Sequence, residues 1–200
     1  IDVEKSFNLL EEKRKEIENS LIEKFKPVYK NIKDNLDKLE SDLKMLQEAK
    51  FDQEVYNDEI NQRILSMAMM GRKNFLDTTH IMIKSLRKSV DFDFSSIAHF
   101  HSFSSPMIKN IDKNLVGYYR LFNNVFKKES APVQNDFEKI SRLLAKFGEV
   151  VNEKSKSINS ITDVIKGLEA FKENISFMEN EKARLTNLEN AINELKSRKQ

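Results

Sequence analysis

Residues 17–46 read IENSLIEKFKPVYKNIKDNLDKLESDLKML. Ile17, Leu21, Phe25, Val28, Ile32, Leu36, Leu39, Leu43 and Leu46 fall at intervals of three or four. That spacing lines side chains along one face of an α-helix. From Ile17 to Leu39 the pattern is two eleven-residue repeats, whose stripe drifts right-handed, and from Ile32 to Leu46 it is a heptad seam. Pro27 stands inside the pattern, yet the stripe keeps its phase across it. A proline there removes one backbone hydrogen bond and bends a long helix more readily than it ends one. We read one helix over about residues 3–49, capped by Asp2 or Ser6 and kinked near Pro27, with two helices as the alternative.

The rest of the chain follows the same rule. Only 4 of the 200 residues are glycine and 3 are proline, too few for the frequent turns of a strand-rich fold. A second helix is expected over 53–89, capped by Asp52, with apolar positions at Val55, Ile60, Ile64, Leu65, Met67, Phe75, Ile81, Met82 and Leu86. These cover more than one narrow stripe and suggest a core helix contacted on two sides. Ser95 or Ser96 is read as the cap of a short helix over 95–103. Ser104-Ser105-Pro106 then reads as the start of a helix over 106–128, and Ser130-Ala131-Pro132 as the start of another over 132–199. The first of these carries Met107, Ile108, Ile111, Leu115, Tyr118, Tyr119, Phe122, Val125 and Phe126. The last carries Phe137, Ile140, Leu144, Phe147, Val151, Ile158, Ile161, Ile165 and Leu168, a heptad seam that continues loosely through Phe171, Ile175, Met178, Leu185, Leu188, Ile192 and Leu195. SKSINSITD (155–163) offers a break near 155–162, but the seam holds its phase there and continuity is preferred. At 1.5 Å per residue an unbroken last helix extends on the order of 100 Å.

The expected fold is therefore all-α: residues 1–200 as a single elongated helical bundle. Long, antiparallel, coiled-coil-like terminal helices would flank shorter, aromatic-rich ones. Residues 92–126 hold eight of the eighteen aromatic side chains, so DFDFSSIAHFHSFSSP (91–106) is read first as packed core.

Chemistry is sparse. With no cysteine there is no disulfide, thiolate nucleophile or Cys-ligated metal. Asp77 and His80 form a single Asp-x-x-His pair, whereas a di-metal helical site needs the pair twice with two further carboxylates. No inward-pointing acid is evident in the other stripes. His99 and His101 diverge on a helix, so a zinc site with His80 has no fixed geometry. Phosphate-cradling glycine loops and the common catalytic signatures are absent. The reading is a non-enzyme without cofactor or metal.

Net charge is +2, but residues 61–128 carry +7 against −5 elsewhere. Long helices with a basic middle are similar in shape to BAR-type curvature-binding modules, without a BAR sequence motif. That similarity implies lipid contact through Lys84, Arg87, Lys88, Lys109 and Lys113 on an anionic membrane, with Phe92, Phe94, Phe100 and Phe103 as a wedge. Nucleic acid is a second alternative, since Lys109, Lys113, Arg120, Lys127 and Lys128 interleave with Tyr118, Tyr119 and Phe122. Those rings lie on the apolar stripe, which favours a core role. The leading expectation is a cytoplasmic scaffold or oligomerisation module, a homo-oligomer (dimer) that meets its partner through Met67, Met69, Met70, Leu185, Leu188, Ile192 and Leu195.

Overall fold

The computed structural model describes residues 2–88 and 90–199, apart from the side chains of residues 114–116, 118 and 121. Ser89, the expected end of the second helix, and the side chains of Leu115 and Tyr118 thus lie outside the described residues. Four α-helices and no strand are present among them: α1 (Val3–Glu48), α2 (Glu59–Arg87), α3 (Phe94–Val125) and α4 (Lys127–Arg198). The protein is all-α, with long helices at both ends of the chain. No described helix is long and apolar enough to cross a membrane.

α1 runs unbroken through Pro27. Asp2 caps it, its carboxylate accepting from the Lys5 amide at 3.2 Å. The stripe that predicted the helix is the face it buries. Leu21, Phe25, Ile32, Leu36, Leu39, Leu43 and Leu46 are each at most 2 % exposed, and Val28 packs against them. A fully buried Leu or Phe contributes roughly 1.5–3 kcal/mol, which explains why the stripe outweighs one lost proline hydrogen bond.

Three helix starts differ from expectation. α2 is capped by Asp58, whose carboxylate accepts from the Asn61 amide at 2.7 Å. Asp52 instead organises the preceding turn, accepting from the Glu54 amide at 3.0 Å. Asp93, not Ser95 or Ser96, caps α3. The expected helices over 95–103 and 106–128 are one helix, because Ile97, Phe100, Ser104, Ile108 and Ile111 are buried on one face that keeps its phase across Pro106. α4 begins at Lys127, so Pro132 lies inside it, and it is continuous through 155–163. A single non-helical residue, Phe126, joins α3 to α4, and its amide donates to the Phe122 carbonyl at 2.7 Å.

The chain forms two compact units, Glu18–Lys154 and Ile1–Ile17 with Ser155–Gln200. In the larger unit all four helices contribute to one core. Phe25 packs at a tilt against Phe147, with ring centroids 4.7 Å apart, and Lys38 reaches Asp136, so α1 and α4 run antiparallel there. Two aromatic groups fill the interior. Phe25 gathers Tyr29, Phe92 and Phe100, while Phe75 gathers Tyr119, Phe122 and Phe137. The aromatic middle is thus packed core, although Phe92 and Phe103 stay 42 % and 44 % exposed.

Arg72 of α2 ties the corners of this unit together. Its Nη1 donates to the Leu46 and Ala49 carbonyls, both at 2.8 Å, adding to the long 3.4 Å bond that the Ala49 amide gives the first of them at the end of α1. α1 has no basic residue of its own in its last turn, so this guanidinium also meets the negative end of its dipole. The same group lies 4.2 Å from the ring centroid of Phe126.

In the smaller unit, the start of α1 lies along α4. Ile158 and Ile165 are buried, and Lys172 pairs with Glu4 at 3.0 Å. Replacing Arg72 with Met is expected to lower the unfolding free energy by about 2–4 kcal/mol, from lost charged hydrogen bonds and a cation–π contact. Arg63→Ala, which removes an exposed pair with Glu59, should change it by less than about 0.5 kcal/mol. Urea titration of both variants checks the contrast.

Candidate functional site

The feature most open to a partner is the far part of α4. Beyond Lys172, Phe171's stripe continues as Met178, Leu185, Leu188, Ile192 and Leu195, which are 44–68 % exposed. The reason is that α4 runs on past the start of α1: Lys172 pairs with Glu4, and from 171 to 199 every described residue except Glu181 is exposed, on all faces of the helix. The buried seam recurs at Phe137, Leu144, Val151, Ile158 and Ile165, each seven apart. The exposed one recurs at Phe171, Met178, Leu185 and Ile192, one position earlier in the heptad, which rotates it by roughly 100° around the helix. No described residue of the chain covers it.

The methionine group lies elsewhere, on α2. Met67, Met69 and Met70 are 56 %, 37 % and 65 % exposed, so the expected second buried side of α2 is in fact open. Ile60 and Ile81 are exposed too, whereas Leu65, Ala68, Phe75, Leu76, Met82, Ile83 and Leu86 form its single buried stripe. Met69 and Met70 line an open cleft with Arg72, Asp77 and His80.

Of the basic residues expected to meet lipid, Lys84, Lys88, Lys109 and Lys113 are exposed. Arg87 is already engaged, bonding Asp37 at 2.6 Å and Glu40 at 2.9 Å on α1. Lys88 lines one cleft with His99, Phe100 and Phe103. Another cleft, lined by Asp112, Tyr119, Arg120, Asn123 and Glu138, lies between α3 and α4. Burial and then Glu138 push the Asp112 carboxyl up, and the same causes push the Tyr119 hydroxyl up to about 12.

The three histidines occupy different places. His80 lies beside Met69 and Met70, His99 beside Lys88, and His101 packs on Gly148 of α4. Among the described residues no three His, Asp or Glu side chains are placed to hold a metal ion. A Cβ on Gly148 would come within 2.2 Å of the His101 ring, so the glycine is what lets the imidazole sit against the helix. Burial, then the positive charge of Lys109, hold His101 below the usual histidine range.

One constellation was missed by the sequence reading. Asp136 of α4 is fully buried, and both its carboxylate oxygens lack a hydrogen-bond donor, as does Oδ2 of Asp42 on α1. Lys38 stands 3.6 Å from Asp136, just outside hydrogen-bonding range. Two carboxylates side by side bond only when one is protonated. Burial first, and then Asp42, accordingly raise the Asp136 carboxyl to about 7, against the opposing pull of Lys38. The expectation that no acid points inward is corrected here. The spacing did carry the signal: Asp42 follows Leu39 by three and precedes Leu46 by four, and Asp136 stands likewise between Val133 and Ile140.

The folded chain holds a proton on Asp136 that the unfolded chain, with an ordinary carboxyl near 3.8, has released over the window from about 4 to 7. Stability from this group is therefore full below that window and lost as pH rises through it. Asp136→Asn, whose amide donates to Asp42 permanently, should match the parent at pH 4 and exceed it at pH 8 by roughly 1–3 kcal/mol. Urea unfolding across pH reads the difference. Gly148→Ala should expel the His101 ring, and its titration followed by NMR should then move up toward an ordinary histidine value. Compared with protein-family models, curated proteins and solved structures, the chain matches none.

Proposed function

We propose that the protein is a non-enzymatic helical interaction module of the cytoplasm, a scaffold that self-associates through an open helix face. The observation that carries this reading is the heptad-spaced apolar stripe of α4, left uncovered while the preceding seam of the same helix is buried. Apolar patches of this regularity on a soluble surface mark contact sites. The exposed Met67, Met69 and Met70 add a second adaptable surface, since methionine side chains repack against varied partners.

A membrane-surface role is the second reading, supported by the cleft that Lys88 shares with the half-exposed Phe103. Such a module would sediment with anionic liposomes and be released by salt, whereas a scaffold would ignore them. Arg87 argues against it, because its guanidinium is spent on Asp37 and Glu40.

Leu188→Asp should lower the mass measured by light scattering to that of a single chain while helical circular dichroism is retained, because Leu188 is exposed and lies outside the buried core. An unchanged mass would remove the α4 stripe from the interface.

A further inference from the structure

Resting on the self-association proposed above, the order and orientation of that contact can be read from the residues beside the stripe. In the exposed frame of α4, Phe171, Met178, Leu185 and Ile192 take the first core position of each heptad. Asn174, Glu181, Leu188 and Leu195 take the second. The flanking positions on one side are Lys182, Glu189 and Lys196, and on the other Phe177, Arg184, Ala191 and Arg198. Flanking charges choose orientation and register in paired helices, so they discriminate among the ways a second copy can dock.

We propose that residues 178–195 of α4 pair antiparallel with the same segment of a second copy, about a two-fold axis passing between Thr186 and Asn187. In that register Leu185 faces Leu188 of the other copy, and Met178 faces Leu195, each contact occurring twice by symmetry. Ile192 meets the aliphatic stem of Glu181, whose carboxylate stays with Arg184 of its own helix at 3.5 Å. On the flank Lys182 stands opposite Glu189 of the second copy, again twice. The other flank sets Arg198 beside the Phe177 ring.

The alternatives each oppose like charges. Sliding the antiparallel pair by one heptad in one direction places Lys182 against Lys196 and Glu189 against its own counterpart. Sliding it in the other direction places Lys182 against itself and Leu185 against Glu181. A parallel, in-register pair stacks the two Glu181 side chains in the core. Of these, only the register centred between Thr186 and Asn187 sets opposite charges on the flank, with apolar Leu185–Leu188 and Met178–Leu195 layers and one mixed Ile192–Glu181 layer.

The chain has no cysteine, so introduced thiols report unambiguously. Met178→Cys and Leu195→Cys chains, mixed and oxidised, should cross-link to one another, and neither should cross-link alone. Residue 178 of one copy would lie roughly 25 Å along the axis from its own counterpart. In parallel, Lys182→Glu should weaken dimerisation about tenfold, and adding Glu189→Lys in the same chain should restore it. Cross-linking of Met178→Cys with itself would overturn the antiparallel arrangement. A parent chain that is dimeric by mass, with neither the mixed cross-link nor the charge-swap rescue, would overturn the register while leaving self-association standing. A parent chain that is monomeric throughout would overturn both.

Discussion

The guanidinium of Arg72 is the constraint on which the arrangement of the four helices depends. A helix ends with carbonyls that no residue of its own can satisfy, and here α1 ends inside the bundle. Arg72 meets that need from α2, bonding the Leu46 and Ala49 carbonyls, and lies over Phe126, the residue that turns α3 into α4. One side chain thereby touches the end of one helix, issues from a second and covers the corner joining the other two. Burial of the group lowers its pKa in direction, as desolvation must, yet a guanidinium remains charged and the carbonyls and ring compensate it. Both carbonyl bonds come from Nη1 while Cζ of the same planar group lies over the ring, an arrangement that the compact ammonium of a lysine would not reproduce.

With that corner fixed, the helices differ in how completely they are used. α1 buries its stripe from Leu21 to Leu46 with Val28 half-buried, and α4 buries its seam from Val133 to Ile165 with Ile161 half-buried. Past Lys172, which pairs with Glu4 beside the start of α1, α4 continues with all its faces exposed, and its apolar positions, one place earlier in the heptad, stay uncovered. The same chain therefore contains a closed seam and an open one on a single helix. Asp42 and Asp136 interrupt the closed seam with a carboxyl that burial and its acidic neighbour push up to about 7, a local cost within an otherwise apolar contact that Lys38 only partly offsets.

Sequence spacing revealed the helices because one-sided burial imposes a 3.6-residue period, and the stripes of α1 and of α4 up to Leu168 are those that the structure buries or half-buries. Local start signals were less reliable. Ser-Pro at 105–106 and Ala-Pro at 131–132 favour a helix beginning, but the packing of Ile97, Phe100, Ser104, Ile108 and Ile111 on one face overrides that preference. The polar core residues were legible only with hindsight. Arg72, Asp42 and Asp136 all sit at core-facing intervals, where spacing favours burial and charge favours solvent. The contact of His101 with Gly148 links residues 47 apart and has no trace in local pattern.

The central claim is that the open stripe of α4 joins two copies of the chain. Sedimentation equilibrium over a hundredfold concentration range tests it most directly. A mass of twice the 23.4 kDa chain at high concentration, falling toward 23.4 kDa on dilution, is the expected result. A mass of 23.4 kDa at every concentration would contradict it.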